Sequence, residues 1–128
     1  MKLLLDTHAF LWFIGGDERL SPSARVLIEN VSNDAYLSVA SLWEMAIKIS
    51  LGRLQLAQPF ETFIPHQLSL NRIGLLGITM SHTAKVATLP FHHRDPFDRL
   101  LVAQAQVEQM PLVSSDPAFD AYSITRLW

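Results

Sequence analysis

The strongest constraint on this chain is a pattern that occurs twice. A short, wholly apolar run ends abruptly on an acid. Leu3-Leu4-Leu5 runs straight into Asp6, and Leu112-Val113 runs through two serines into Asp116. An apolar run of this length with no helical start signal reads as a buried strand. A strand apolar at every position, rather than at alternate ones, is covered on both faces, as in a parallel sheet flanked by helices. In such sheets ligands bind beyond the carboxyl ends of the strands. Asp6 therefore stands where a buried strand surfaces, at the mouth of an expected site.

The remaining segments fill in that layout. AYLS and RIGLLGI read as further strands, and SITRLW as the strand that closes the sheet. THAFLWFI predicts a short helix stopped by Gly15 and Gly16. The next helix has Ser21 as its cap and Pro22 in its first position. SLWEMAIKISLGRL carries an apolar stripe of Leu42, Met45, Ala46 and Ile49, with Gly52 as its stop. QPFETFIPHQLSLN predicts a helix kinked at Pro65, and SHTAKVATL a short helix begun by Ser81. DPFDRLLVAQAQVEQM predicts the clearest helix, capped by Asp95, opened by Pro96, with Leu100, Leu101, Ala103 and Val107 inward. Helices alternating with short buried strands predict an α/β domain with a mostly parallel central sheet. No repeat, linker or low-complexity tract divides residues 1–128, so a single domain is expected.

Composition narrows the function classes. Ten Lys and Arg against twelve Asp and Glu give a formal charge of −2, so bulk charge does not advertise a nucleic-acid binder, although a local basic rim would serve one. There is no cysteine, which excludes disulfides and thiolate chemistry and makes a reducing cytosol the default expectation. No signal peptide or membrane span is visible.

Four acids invite a joint reading: Asp6, Glu44, Asp98 and Asp116. Each has an ordinary role available. Asp6 and Asp116 suit helix caps, each stabilising by about 1 kcal/mol. Asp98 falls at the third helical position, where an acid completes a capping box and favours the helix dipole. Glu44 could form an exposed i,i+4 pair with Lys48, worth a few tenths of a kcal/mol. Ser41, Glu44 and Lys48 also form one narrow polar stripe on an otherwise apolar helix, facing either solvent or a polar pocket. Taken together, the acids could converge on one end of the sheet. At ~4 Å and an effective dielectric of ~20, each like-charged pair costs about 4 kcal/mol. A divalent cation reverses that penalty, and an oxygen-only set points to a hard ion, Mg2+ or Mn2+.

LLLDTHAFLWF, SLWEMAIKISLGRL, HHRDPFDRLLVAQA and LVSSDPAFDAY, in this order, resemble the PIN-domain ribonucleases, especially the VapC-type toxins of toxin–antitoxin pairs. The resemblance spans nearly the whole chain. It implies a three-layer α/β/α fold and metal-dependent hydrolysis of RNA phosphodiesters. It carries over position by position: Asp6 as the acid ending the first strand, Glu44 on the helix after the second, Asp98 before LLVAQA, and Asp116 in the Asp116-Pro117-Ala118-Phe119 turn. Ser114 stands where relatives carry Thr or Ser. The resemblance also implies a homodimer and a small antitoxin protein bound near the active site. Lys48, Arg53, Arg94 and Arg99 flank the acidic motifs and are expected at an RNA-binding rim. His92 and His93 read as an exposed loop pair, and His8 as structural. Two other classes fit parts of the pattern. A non-catalytic interaction module would keep the acids as caps. A phosphotransfer enzyme would use an Asp after the first strand, but the partner Asp such enzymes place two residues on is here His8.

Overall fold

The computed structural model describes residues 1–128. In chain order its elements are β1 (Lys2–Leu5), α1 (Thr7–Ile14), α2 (Pro22–Glu29), β2 (Asp34–Ser38), α3 (Val39–Ser50), α4 (Phe60–Leu70), β3 (Gly74–Leu76), α5 (Met80–Val86), α6 (Pro96–Glu108), β4 (Leu112–Val113), a 3-10 turn over Pro117–Ala121, and β5 (Arg126–Leu127). The five strands form one sheet in the order β3-β2-β1-β4-β5. Every neighbouring pair is parallel.

The apolar strand runs now have a physical account. Side chains alternate across a strand, so Leu3 and Leu5 enter one core and Leu4 the other, and all three are fully buried. Leu3 and Leu5 pack with Phe10 of α1, Ala24 of α2, Met45 of α3 and Ile64 of α4. Leu4 packs with Leu101 and Val102 of α6, Leu112 of β4 and Phe119 of the 3-10 turn. Two cores on opposite faces of one sheet make the three-layer α/β/α arrangement. Burial of each such leucine stabilises by roughly 1.5–3 kcal/mol. No helix is long and apolar enough to cross a membrane.

Several helix starts differ from expectation. The third helix begins at Val39, capped by Ser38, whose Oγ accepts from the Ala40 N–H at 3.0 Å. Ser41 is thereby inside the helix and buried. α5 is capped by Thr79 and not Ser81. Thr79 Oγ1 accepts from the His82 N–H at 3.3 Å, and His82 Nδ1 accepts from the Thr79 N–H at 3.0 Å. This is a reciprocal capping box in which histidine replaces the usual Glu or Gln. The inward face of α6 is also broader than expected, with Arg99 and Gln104 buried while Leu100 and Val107 are only partly so. Pro65 lies inside α4 as expected, and Gly52 follows α3 with φ +71°, the left-handed stop read from the sequence. Gly74 is required by close approach: a Cβ there would stand 2.9 Å from the Tyr36 ring on the neighbouring strand.

Register places the site. Leu5 pairs with Leu37 on one side and Val113 on the other. The next residues out, Asp6, Ser38 and Ser114, therefore emerge level with one another at the carboxyl edge. The chain order reverses there between β1 and β4, the point where open α/β sheets leave a crevice.

Candidate active site at the carboxyl edge of the sheet

Asp6 is buried at the end of β1, and its Oδ1 accepts from the Ala9 N–H at 2.7 Å. It is thus the cap of α1 as well as a site acid. Burial raises its carboxyl above the usual range, and the nearby Glu44 charge pushes the same way. The Ser114 hydroxyl, the Ala9 amide and His8 pull against them.

Glu44 projects from α3 toward the same pocket and is buried. Thr7 Oγ1 lies 2.7 Å from Glu44 Oε1 and 2.9 Å from Ser41 Oγ. A carboxylate only accepts, so the Thr7 hydroxyl donates to Glu44 and the Ser41 hydroxyl to Thr7. The other oxygen, Oε2, pairs with Lys48 Nζ at 2.8 Å. The polar stripe on α3 therefore faces an interior pocket along its Ser41 and Glu44 positions, with Lys48 at its partly exposed edge.

Asp98 occupies the first turn of α6, but it completes no capping box. Asp95 caps the helix alone, its Oδ1 accepting from the Phe97 N–H at 2.8 Å and the Asp98 N–H at 3.4 Å. The Asp98 carboxyl is pushed up to about 7, first by burial, then by the charges of Asp95, Glu44, Asp6 and Asp116. All three other acids of the set thus act on this one group.

Asp116 heads the 3-10 turn, its Oδ1 accepting from the Ala118 N–H at 2.9 Å. His93 Nε2 stands 3.4 Å from its Oδ2. His93 is not the exposed loop residue expected: its ring stacks on Phe119 at 4.6 Å and meets the Tyr122 hydroxyl at 3.3 Å. His92 is exposed as expected, and His8, expected to be structural, is exposed beside Trp12.

The four acids thus share one end of the sheet, each within the electric field of its neighbours. No three acidic or histidine side chains are gathered closely enough to enclose an ion. Oxygens of Asp6 and Asp116 serve backbone amides, and Glu44 is held by Thr7 and Lys48. The donor set is nevertheless all oxygen and partly buried, with Asp98 carrying no hydrogen-bonding partner that lowers its proton affinity. That set fits a hard divalent cation in the chemistry of its donors.

The basic residues divide. Lys48 and Arg53 line one groove beside the acids, of roughly 440 Å³, together with His8 and Trp12. Arg94 is exposed next to Asp95. Arg99 is not at the rim. Its guanidinium is buried and donates to the carbonyls of Pro90 at 2.9 Å, Val86 at 3.2 Å and Leu89 at 3.4 Å. Thr7 is the residue sequence reasoning passed over, and His93 the one it read as exposed. A hydroxyl directly after a strand-ending acid was the one available signal for Thr7.

The fold and these residues define an α/β/α domain with a cluster of acids at the carboxyl edge of its parallel sheet. A family model for the PIN domain matches residues 3–124. Ribonuclease VapC22 of Mycobacterium tuberculosis is 33% identical over 115 residues, which cover 89% of this chain and 86% of that protein. Among solved structures, VapBC2 from Rickettsia felis, bound to a DNA fragment from its promoter, superposes with a TM-score of 0.72 at 17% identity, covering 99% of this chain and 98% of that one. VapBC-1 from nontypeable Haemophilus influenzae gives a TM-score of 0.67 at 16% identity, with 99% and 97% covered. The chain belongs to the PIN-domain family.

Proposed function

We propose that this chain is a divalent-metal-dependent endoribonuclease and the toxin of a toxin–antitoxin pair. Asp98 is the observation that carries the reading. A carboxyl pushed up to about 7 in a pocket shared with three further acids destabilises the empty fold and caps nothing. Such an arrangement makes sense as a functional site. The name of the VapC22 relative and the VapBC complexes among the similar folds support the same assignment.

Asp6, Glu44, Asp98 and Asp116 would hold Mg2+ or Mn2+. When bound, the cation supplies acidification of the attacking water and charge neutralisation at phosphorus. The chain's own part is positioning. Thr7 fixes one oxygen of Glu44, Ser114 and Ala9 steady Asp6, and His93 steadies Asp116. Lys48, Arg53 and Arg94 are offered to the phosphates of the RNA. The family match over residues 3–124 supports one domain, and a chain without cysteine suits the reducing cytosol in which we place it. An exposed apolar stripe of Val39, Trp43 and Ile47 on α3, continued by its cap Leu51, supports a homodimer, with a cognate antitoxin as the further partner. Capping by Asp6 and Asp116 is what a non-catalytic scaffold would keep; the unbonded, partly buried Asp98 is what it would lack reason to keep.

The decisive test incubates the protein with total RNA, with Mg2+ or with chelator, beside Asp6→Asn. Cleavage that needs the ion and falls at least about 100-fold in the variant is expected. Cleavage indifferent to both chelator and substitution overturns the reading. Thr7→Val is expected to cost about 1–2 kcal/mol in urea unfolding and to lower the cleavage rate about tenfold, whereas Thr7→Ser keeps both.

A further inference from the structure

The two oxygens of Glu44 are held in unlike ways. Oε1 is fixed from inside the fold by Thr7, itself bonded to Ser41, and all three residues are buried. Oε2 is held by a flexible ammonium, Lys48 Nζ at 2.8 Å, whose side chain is 35% exposed. The pair is i,i+4 on one helix, so α3 itself delivers the cation to the acid. A groove lined by His8, Lys48 and Arg53 adjoins it and leaves the lysine chain a place to go.

We infer that Lys48 is a counter-cation built into the metal-free site, balancing Glu44 Oε2 until a divalent ion arrives and then releasing that oxygen to it. The inference rests on the nuclease reading above and adds to it a regulatory role for a residue otherwise read only as a phosphate contact. A lysine does this better than an arginine would. Its ammonium is a single point charge on a flexible stem, while a guanidinium would grip both carboxylate oxygens through its fork. Thr7 makes the exchange possible, because Glu44 stays aimed at the site while its outer oxygen changes partner.

The test measures Mn2+ binding by calorimetry at low ionic strength, without RNA, on the full-length wild type, Lys48→Met and Lys48→Arg. Removing one positive charge at ~6 Å from a divalent ion is worth about tenfold in affinity even at the dielectric of water. Lys48→Met is therefore expected to bind Mn2+ about tenfold more tightly, and Lys48→Arg no more tightly than wild type. Equal or weaker binding by Lys48→Met, with the wild type still binding, overturns the role of Lys48 and leaves the nuclease site standing. Binding by neither protein removes both. Lys48 is partly exposed on a helix surface, so the methionine is not expected to unfold the chain, and Lys48→Arg separates loss of charge from loss of the side chain.

Discussion

Asp98→Asn is expected to abolish cleavage and, at the same time, to make the metal-free protein more stable at pH 8. The Asp98 carboxyl titrates at about 7 in the fold, against about 3.9 in an unfolded chain. Between those values the folded state holds a proton that the unfolded state has lost. Stability therefore falls as pH rises from about 4 to about 7, and is flat on either side. At full strength the shift corresponds to about 4 kcal/mol; the group is partly exposed, so solvent screening leaves about 2 kcal/mol. Asparagine carries no charge to disfavour. In thermal melts with chelator at pH 8, the variant should unfold roughly 5–10 °C above wild type. At pH 4 the gap should close, because the wild-type group is then protonated in the fold. A variant no more stable than wild type at pH 8 would show that the acids do not burden one another as described.

Arg99→Ala is expected to damage the fold more than any other loss of a basic side chain, since no other Lys or Arg is buried. Its guanidinium binds three carbonyls that lack other side-chain donors, at the end of α5 and in the loop leading to α6. It also lies 4.1 Å over the Phe91 ring. Truncation leaves the Leu89 carbonyl without a donor, strips a charged donor from the Val86 and Pro90 carbonyls, which keep the Leu89 and His92 amides, and removes a cation from a helix C-terminus, together about 3 kcal/mol. Arg99→Lys keeps the charge but not the fork, and should cost about half as much. The readout is a lowered urea midpoint with unchanged slope. The same loop carries His93 against Asp116, so cleavage should fall along with stability. If Arg99→Ala left the midpoint in place and only weakened RNA binding, the buried anchor assigned here would be wrong.

That residue marks where sequence stopped being informative. Strands and caps that depend on local chemistry were legible: Leu3–Leu5 between two cores, Ser21 before Pro22, Asp95 before Pro96. Parallel strands alone put Asp6 and Asp116 at one edge, whereas for Glu44 and Asp98, which stand on helices, the sequence left convergence open. Features that depend on a distant partner were not legible. Arg99 looks like any basic residue beside a motif until Val86, Leu89 and Pro90 turn their carbonyls toward it. Thr7 gains its role only because α3 brings Glu44 alongside α1. Ser81 looked like the start of α5 because the usual reciprocal partner is Glu or Gln, and here His82 answers Thr79 instead. Asp98 fitted a capping box by position, but its carboxyl makes no bond back to the Asp95 N–H, and Asp95 caps the helix alone.

The central place of β1 in the sheet has a consequence for how such an enzyme is disarmed. Asp6 and Glu44 come from the first half of the chain, Asp98 and Asp116 from the second, and β1 is the seam that both neighbouring strands are stitched to. Loss of the leading strand would strip pairing from β2 and β4 together and part Asp6 from the other three acids. The pocket is therefore held together by the pairing of four residues at the head of the chain.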